Sequence, residues 1–265
     1  MRRFRIAAYV SSLLFAATAV LTGAATAQAA GTGYVALGDS YSSGVGAGSY
    51  DSGSGDCKRS TKAYPALWAA AHAPSTFSFV ACSGAVTGDV LNNQLGPLNS
   101  STGLVSLSVG GNDAGFADVM TTCVLYSEST CVDRVNQARA YVTSTLPAKL
   151  DAVYRAIKAK APSARVVVLG YPRFYQLDGS CLAGLSETER SAINGAADLL
   201  DTTIAGRVSA AGLTFGDVRG TFTGHEICSG SAWLHSVNWT NIGESYHPTA
   251  AGHSGGYLPV LTSKA

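Results

Sequence analysis

Hydrophobic residues gather into five short runs, at 34–37, 76–81, 104–109, 165–169 and 213–217, separated by longer stretches of mixed character. The runs are mostly continuous rather than alternating, the pattern of strands buried on both faces of a parallel sheet. Helical periodicity fills the intervals. A short helix is predicted over 63–72 with Pro65 in its first turn, and a long amphipathic segment over 131–161 with an interruption near Pro147. Ser186 and Glu189 form a capping box that opens a helix running to Ala210, and Gly212 closes it. A last helix is expected over 248–258, although its glycines oppose it. Strands alternating with helices describe an α/β domain, and 265 residues suit one such domain.

The first residues change that picture. Arg2, Arg3 and Arg5 precede an apolar segment over 6–25, and Ala27-Gln28-Ala29 offers a small-x-small cleavage site. Residues 1–29 therefore read as an export signal and 30–265 as a single mature domain, with no membrane anchor expected. Loss of the three arginines moves the formal charge from +1 to about −2. With 13% charged residues and no long basic run, nucleic acid is not an expected partner.

All six cysteines, Cys57, Cys82, Cys123, Cys131, Cys181 and Cys228, lie beyond the leader. An even number in an exported chain predicts three disulfides, and sequence alone permits fifteen pairings, of which sequence neighbours are the simplest. Zinc is the competing use. No two cysteines have C-x-x-C spacing, so no metal is expected.

In open parallel sheets, functional residues collect beyond the carboxyl ends of strands. Gly38-Asp39-Ser40 follows the first predicted strand, Cys82-Ser83-Gly84 the second and Gly110-Gly111-Asn112-Asp113 the third. His247 lies near the end of the chain, with Glu244 three residues before it. A serine hydroxyl needs a base to take its proton, and histidine suits that work near neutral pH. A carboxylate at 244 can reach back across one turn to hold the imidazole; a main-chain carbonyl at 244 or 245 is the alternative. The amides of Ser40 and Gly84 and the side chain of Asn112 form a sensible set of oxyanion donors. Singly, each has a plainer reading: a serine-rich turn, a turn glycine, an Asx-turn asparagine, a structural histidine.

Together, the four blocks resemble the GDSL family of SGNH hydrolases, in particular its secreted actinobacterial lipases and esterases. They occur in the family's order and span almost the whole mature chain. The resemblance implies a three-layer α/β/α, flavodoxin-like fold with a five-stranded parallel sheet. It implies Ser40 as nucleophile, His247 as base, and Ser40, Gly84 and Asn112 as the oxyanion hole. It also implies three disulfides between sequence neighbours, 57–82, 123–131 and 181–228, and no cofactor. Two positions depart from the family pattern. Tyr41 replaces the leucine of Gly-Asp-Ser-Leu, and Glu244 stands where an aspartate is usual.

The expected chemistry is hydrolysis of carboxylic esters through an acyl-serine, by an extracellular monomer acting on medium- or long-chain acylglycerols at a lipid–water interface. Phospholipids and short-chain or carbohydrate esters are the alternatives, and a secreted binding domain with an inactive site is the remote one. Tyr41, Tyr50, Phe116 and Phe174 are candidates to line an acyl pocket. Gly252-His253-Ser254-Gly255-Gly256 contains a formal nucleophile-elbow match, but it lacks a preceding strand and a following base and acid.

Overall fold

The structure is a computed structural model that describes residue 1 and residues 33–181 and 184–265. Apart from its first residue, the leader expected over 1–29 therefore lies outside the described residues. Five parallel strands, β1 (Gly33–Ala36), β2 (Thr76–Phe79), β3 (Thr102–Leu107), β4 (Arg165–Leu169) and β5 (Thr214–Gly216), form one sheet in the order β2-β1-β3-β4-β5. All five predicted runs supply strands. The three inner strands, β1, β3 and β4, are closed on both faces, with Val35, Ala36, Val105, Val167 and Val168 all buried, whereas the edge strand β2 is exposed at Thr76 and Phe77.

Nine α-helical segments cover the described chain: α1 (Ser40–Ser43), α2 (Tyr64–His72), α3 (Thr87–Asp89), α4 (Phe116–Leu125), α5 (Glu128–Ser144), α6 (Leu146–Lys160), α7 (Glu187–Ala210), α8 (Arg219–Phe222) and α9 (Leu258–Lys264). One layer contains α4 to α7, which pack on one another; α2 and α9 pair in the opposite layer. The predicted break near Pro147 is a full stop, since Thr145 separates α5 from α6 and Pro147 occupies the first turn of α6. The box at Ser186 is formed, with Glu189 reaching back to the Ser186 amide at 2.7 Å.

The C-terminal helix differs from expectation. It opens at residue 250, passes through a π-helical stretch at Gly252–Tyr257 and continues to Lys264. Its glycines are packing sites. A Cβ on Gly255 would lie 2.6 Å from the Trp233 ring, and one on Gly256 would lie 2.2 Å from the Phe222 ring. The elbow match thus sits inside a helix, with Ser254 on its exposed side and His253 buried, where the imidazole Nδ1 accepts from the Tyr64 amide at 3.3 Å.

The chain runs from β1 outward to β2, then crosses back to β3 on the other side of β1. That reversal opens a crevice beyond the ends of β1 and β3, where side chains on the two following loops face a common space.

Candidate active site

Gly38 turns the chain sharply out of β1. Its φ is +118°, and a Cβ there would lie 2.4 Å from the Ser108 carbonyl, so only glycine fits. Gln94 clamps it, accepting from the Gly38 amide at 2.7 Å and donating to its carbonyl at 2.9 Å. Asp39 then caps α1 by accepting from the Tyr41 amide at 3.0 Å. Ser40 thereby starts a helical turn directly at the sheet edge.

Ser40 Oγ lies 2.7 Å from His247 Nε2. The other ring nitrogen, Nδ1, lies 2.9 Å from the Ser245 carbonyl oxygen. With Nδ1–H donating to that carbonyl, Nε2 is left as the acceptor facing the serine hydroxyl. The expected Glu244 carboxylate is elsewhere: it accepts from the Tyr50 hydroxyl at 2.7 Å. The reason is local. Glu244 ends a 3-10 turn (Ile242–Glu244), Ser245 is extended, and Tyr246 takes a left-handed φ of +66°. This path aims the Ser245 carbonyl at the imidazole and turns residue 244 away.

The histidine loop is anchored to the turn that bears Ser40. Tyr41 donates to the Tyr246 carbonyl at 2.6 Å, and its ring centroid lies 5.2 Å from that of His247. An antiparallel bridge between Leu234 and Pro248 carries the loop, with His235 donating its amide to the His247 carbonyl at 3.0 Å. Withdrawal from water pulls His247 from its ordinary 6.5 down to about 4, against the hydrogen bond to Ser245. The imidazole is therefore a neutral acceptor at neutral pH.

The remaining blocks converge on the same cleft, whose volume is about 450 Å³ and whose wall includes Ser40, Gly84, Asn112 and His247. Gly84 has φ +78°, and a Cβ there would meet nothing within 4 Å, so its backbone conformation is what favours glycine. Asn112 Nδ2 donates one hydrogen to the Ala85 carbonyl at 3.0 Å, which fixes the amide plane and leaves a second hydrogen to offer. Asp113 ties these two loops together, accepting from the Thr87 amide at 2.9 Å and the Thr87 hydroxyl at 2.6 Å.

Two supporting residues escaped the sequence reading. Tyr171, just past β4, donates to the Asp39 carboxylate at 2.5 Å and accepts from the Gly111 amide at 3.3 Å. Ser108 donates to the same carboxylate at 2.7 Å. Burial nevertheless raises Asp39 to about 6, the hydrogen bonds notwithstanding. Neither residue belongs to a motif block, and no spacing announces a contact made across the sheet.

The disulfides join Cys57 to Cys82, Cys123 to Cys131 and Cys181 to Cys228. The first fixes the strand-end loop that carries Gly84. Among the described residues, no group of three or more His, Cys, Asp or Glu side chains is placed to hold a metal ion. Of the aromatic candidates, Tyr41, Phe116 and Phe174 line an apolar space beside Ser40, whereas Tyr50 is engaged with Glu244.

Residues 36–254 match the model of the GDSL-like Lipase/Acylhydrolase family. The chain is 72% identical to Lipase 1 of Streptomyces coelicolor, over 100% of both sequences. Among solved structures, phospholipase A1 from Streptomyces albidoflavus superposes with a TM-score of 0.87 at 73% identity, covering 89% of this chain and 100% of that one. The extracellular lipase of Streptomyces rimosus superposes at 0.86 with 65% identity, covering 88% and 99%. The chain belongs to the GDSL-like lipase/acylhydrolase family and is an extracellular carboxylic ester hydrolase.

Proposed function

We propose that the protein is a lipase in which Ser40 and His247 form a catalytic pair, oriented by the Ser245 carbonyl, with Ser40, Gly84 and Asn112 as the oxyanion donors. The observation that carries this reading is the 2.7 Å approach of Ser40 Oγ to His247 Nε2 within a cleft that Gly84 and Asn112 also line. His247 Nε2 takes the Ser40 proton as Oγ attacks the ester carbonyl. Charge grows on the carbonyl oxygen, where the amides of Ser40 and Gly84 and the free Asn112 hydrogen receive it. The imidazolium then protonates the departing alcohol, and water, deprotonated by the same nitrogen, releases the acid from Ser40. Without a carboxylate partner, the imidazolium is stabilised by a carbonyl dipole, and the transient charge relies more heavily on the oxyanion donors.

The substrate we assign is a medium- or long-chain acylglycerol met at a lipid–water interface. Leu125, Trp239 and Ile242 are exposed on the border of the cleft, an arrangement suited to a lipid surface. Phospholipid is the second reading, favoured by the likeness to a phospholipase A1. Residues 1–29 act as the export leader in this account, and 30–265 form one hydrolase domain acting as a monomer.

The test is turnover of acylglycerols and phosphatidylcholine by the purified mature protein, with Ser40→Ala and Asn112→Ala. Ser40→Ala is expected to remove turnover without changing the circular dichroism. Asn112→Ala is expected to lower kcat by roughly 10²–10³ while KM changes little. Undiminished turnover in Ser40→Ala refutes the assignment.

A further inference from the structure

Ser40 and Asn112 sit on separate loops. The sheet holds those loops together up to Ser108, whose carbonyl accepts from the Asp39 amide at 3.0 Å. Beyond it, Gly110 turns the chain with a φ of +121°. The carbonyls of Gly110, Gly111 and Asn112 accept from the amides of Ala114, Phe116 and Gly115 at 3.2, 3.1 and 3.0 Å. Those bonds shape the turn, but they do not place it relative to Ser40. The side-chain links from Asn112 and Asp113 run to Ala85 and Thr87, on the loop that carries Gly84.

The link to the nucleophile's own turn is made by Tyr171. Its hydroxyl donates to the Asp39 carboxylate and accepts from the Gly111 amide, so one oxygen joins the residue before Ser40 to the residue before Asn112. The ring rests on the glycine: a Cβ on Gly111 would lie 3.4 Å from the Tyr171 Cζ. Tyr171 is itself fixed. Its amide donates to the buried Asp201 carboxylate at 2.8 Å, and the Tyr41 ring meets it edge-on with centroids 5.1 Å apart. Burial, and the Asp39 charge beside it, push the Tyr171 hydroxyl well above its ordinary value, so it keeps the proton that it donates.

We propose that Tyr171 is a positioning residue of the hydrolytic reaction: its hydroxyl is a strut that sets the place of the Asn112 amide relative to Ser40. The inference rests on Asn112 acting as an oxyanion donor to a Ser40-bound intermediate, and it adds what keeps that donor in register with the nucleophile. Phenylalanine at 171 keeps the ring and cuts both bonds. The donor then drifts from where the charge develops, and a misplacement of about 1 Å can cost about 10² in rate. Because an oxyanion donor works in the transition state, the loss falls on kcat rather than KM. Ser108 supplies the contrast. Its hydroxyl also donates to Asp39, at 2.7 Å, and otherwise meets Ser42, but it does not touch Gly111.

The experiment measures kcat and KM for p-nitrophenyl butyrate in the wild type, Tyr171→Phe, Ser108→Ala and Asn112→Ala, and in each of the first two substitutions combined with Asn112→Ala. Tyr171→Phe should lower kcat about 10- to 100-fold, with KM within about threefold of the wild type. Once Asn112 is gone, the same substitution should cost less than about threefold, since the strut then has no donor to place. Ser108→Ala should cost less than Tyr171→Phe and cost the same in both backgrounds. Should Tyr171→Phe lose the wild-type circular dichroism, a ring-fluorinated tyrosine at position 171 replaces it. Fluorine makes the hydroxyl a better donor to Asp39 and a poorer acceptor for Gly111, and kcat should fall. A kcat in folded Tyr171→Phe within about threefold of the wild type, an equal loss with and without Asn112, or an undiminished kcat in the fluorinated protein overturns the strut and leaves the hydrolase reading intact. An undiminished kcat in Asn112→Ala removes the oxyanion assignment and the strut with it.

Discussion

Replacing Glu244 separates two ways of orienting a catalytic histidine. Were its carboxylate the partner of the imidazole, removing it would cost about 10⁴ in kcat, the typical effect of losing that member of a triad. Here Glu244 accepts a hydrogen bond from Tyr50, and Tyr50 in turn accepts from the Gly46 amide at 2.9 Å. Burial and the nearby carboxylate push the Tyr50 hydroxyl up to about 12, so it remains a donor throughout the working pH range. The Gly46 carbonyl lies 2.8 Å from His235 Nε2, and a Cβ on Gly46 would lie 3.1 Å from the His247 Cβ. Glu244→Ala therefore removes one hydrogen bond from the loop that backs the histidine. That bond is worth about 1 kcal/mol, and full transmission to the barrier lowers kcat about fivefold. Glu244→Gln keeps an acceptor for Tyr50 and should stay within about threefold of the wild type. Steady-state hydrolysis of a soluble ester at saturating substrate measures both variants. A loss beyond about 10³ in Glu244→Gln would refute the backbone-carbonyl account.

Two further outcomes follow from the same geometry. In the proposed mechanism His247 works unprotonated, and its depressed pKa keeps it so well below 6.5; the acidic limb of kcat/KM should have its midpoint between 4 and 5. The stability that the neutral imidazole contributes is complete above the unfolded value near 6.5 and is lost as pH falls through the folded value near 4. An acidic limb centred at 6.5 counts against the buried base. Gly38→Ala places a methyl against the Ser108 carbonyl at a φ of +118°; the cost is roughly 3 kcal/mol, or about 10 °C in Tm, and turnover should be lost as Ser40 shifts. A Tm within 2 °C of the wild type would show that the turn tolerates a side chain.

Much of this architecture was legible because burial writes a simple pattern. Strands closed on both faces, as at Val166, Val167 and Val168, must be continuous apolar runs, and all five predicted strands appear in the sheet. The three glycine-bearing blocks could be read because a sharp exit from a strand needs special residues at fixed places, and Gly38, Gly84 and Gly110 all have positive φ. Glu244 misled for a physical reason. A spacing of three residues gives reach but not direction, and the left-handed turn at Tyr246 is unusual for an aromatic residue. Tyr171 and Gln94 were invisible for another reason. Each acts through hydrogen bonds made from a distant part of the chain, Tyr171 to Asp39 and Gly111 and Gln94 to Gly38, and neither position carries a local signature. The C-terminal glycines read as helix breakers because propensity reports the isolated helix, whereas Phe222 and Trp233 demand close approach.

The sheet order also has a consequence for biosynthesis. Ser40, Gly84 and Asn112 follow three adjacent strands, all drawn from the first half of the chain, whereas His247 arrives on a separately mounted loop close to the C-terminus. On the proposed assignment, a nascent polypeptide that has released its first three strands already carries the nucleophile and a cradle for negative charge, but not the histidine that takes the serine proton. Hydrolytic competence is thus deferred until the final segment closes on the domain. An enzyme destined for export carries this delay in its connectivity, and an incomplete chain is chemically silent toward the lipids of the cell that makes it.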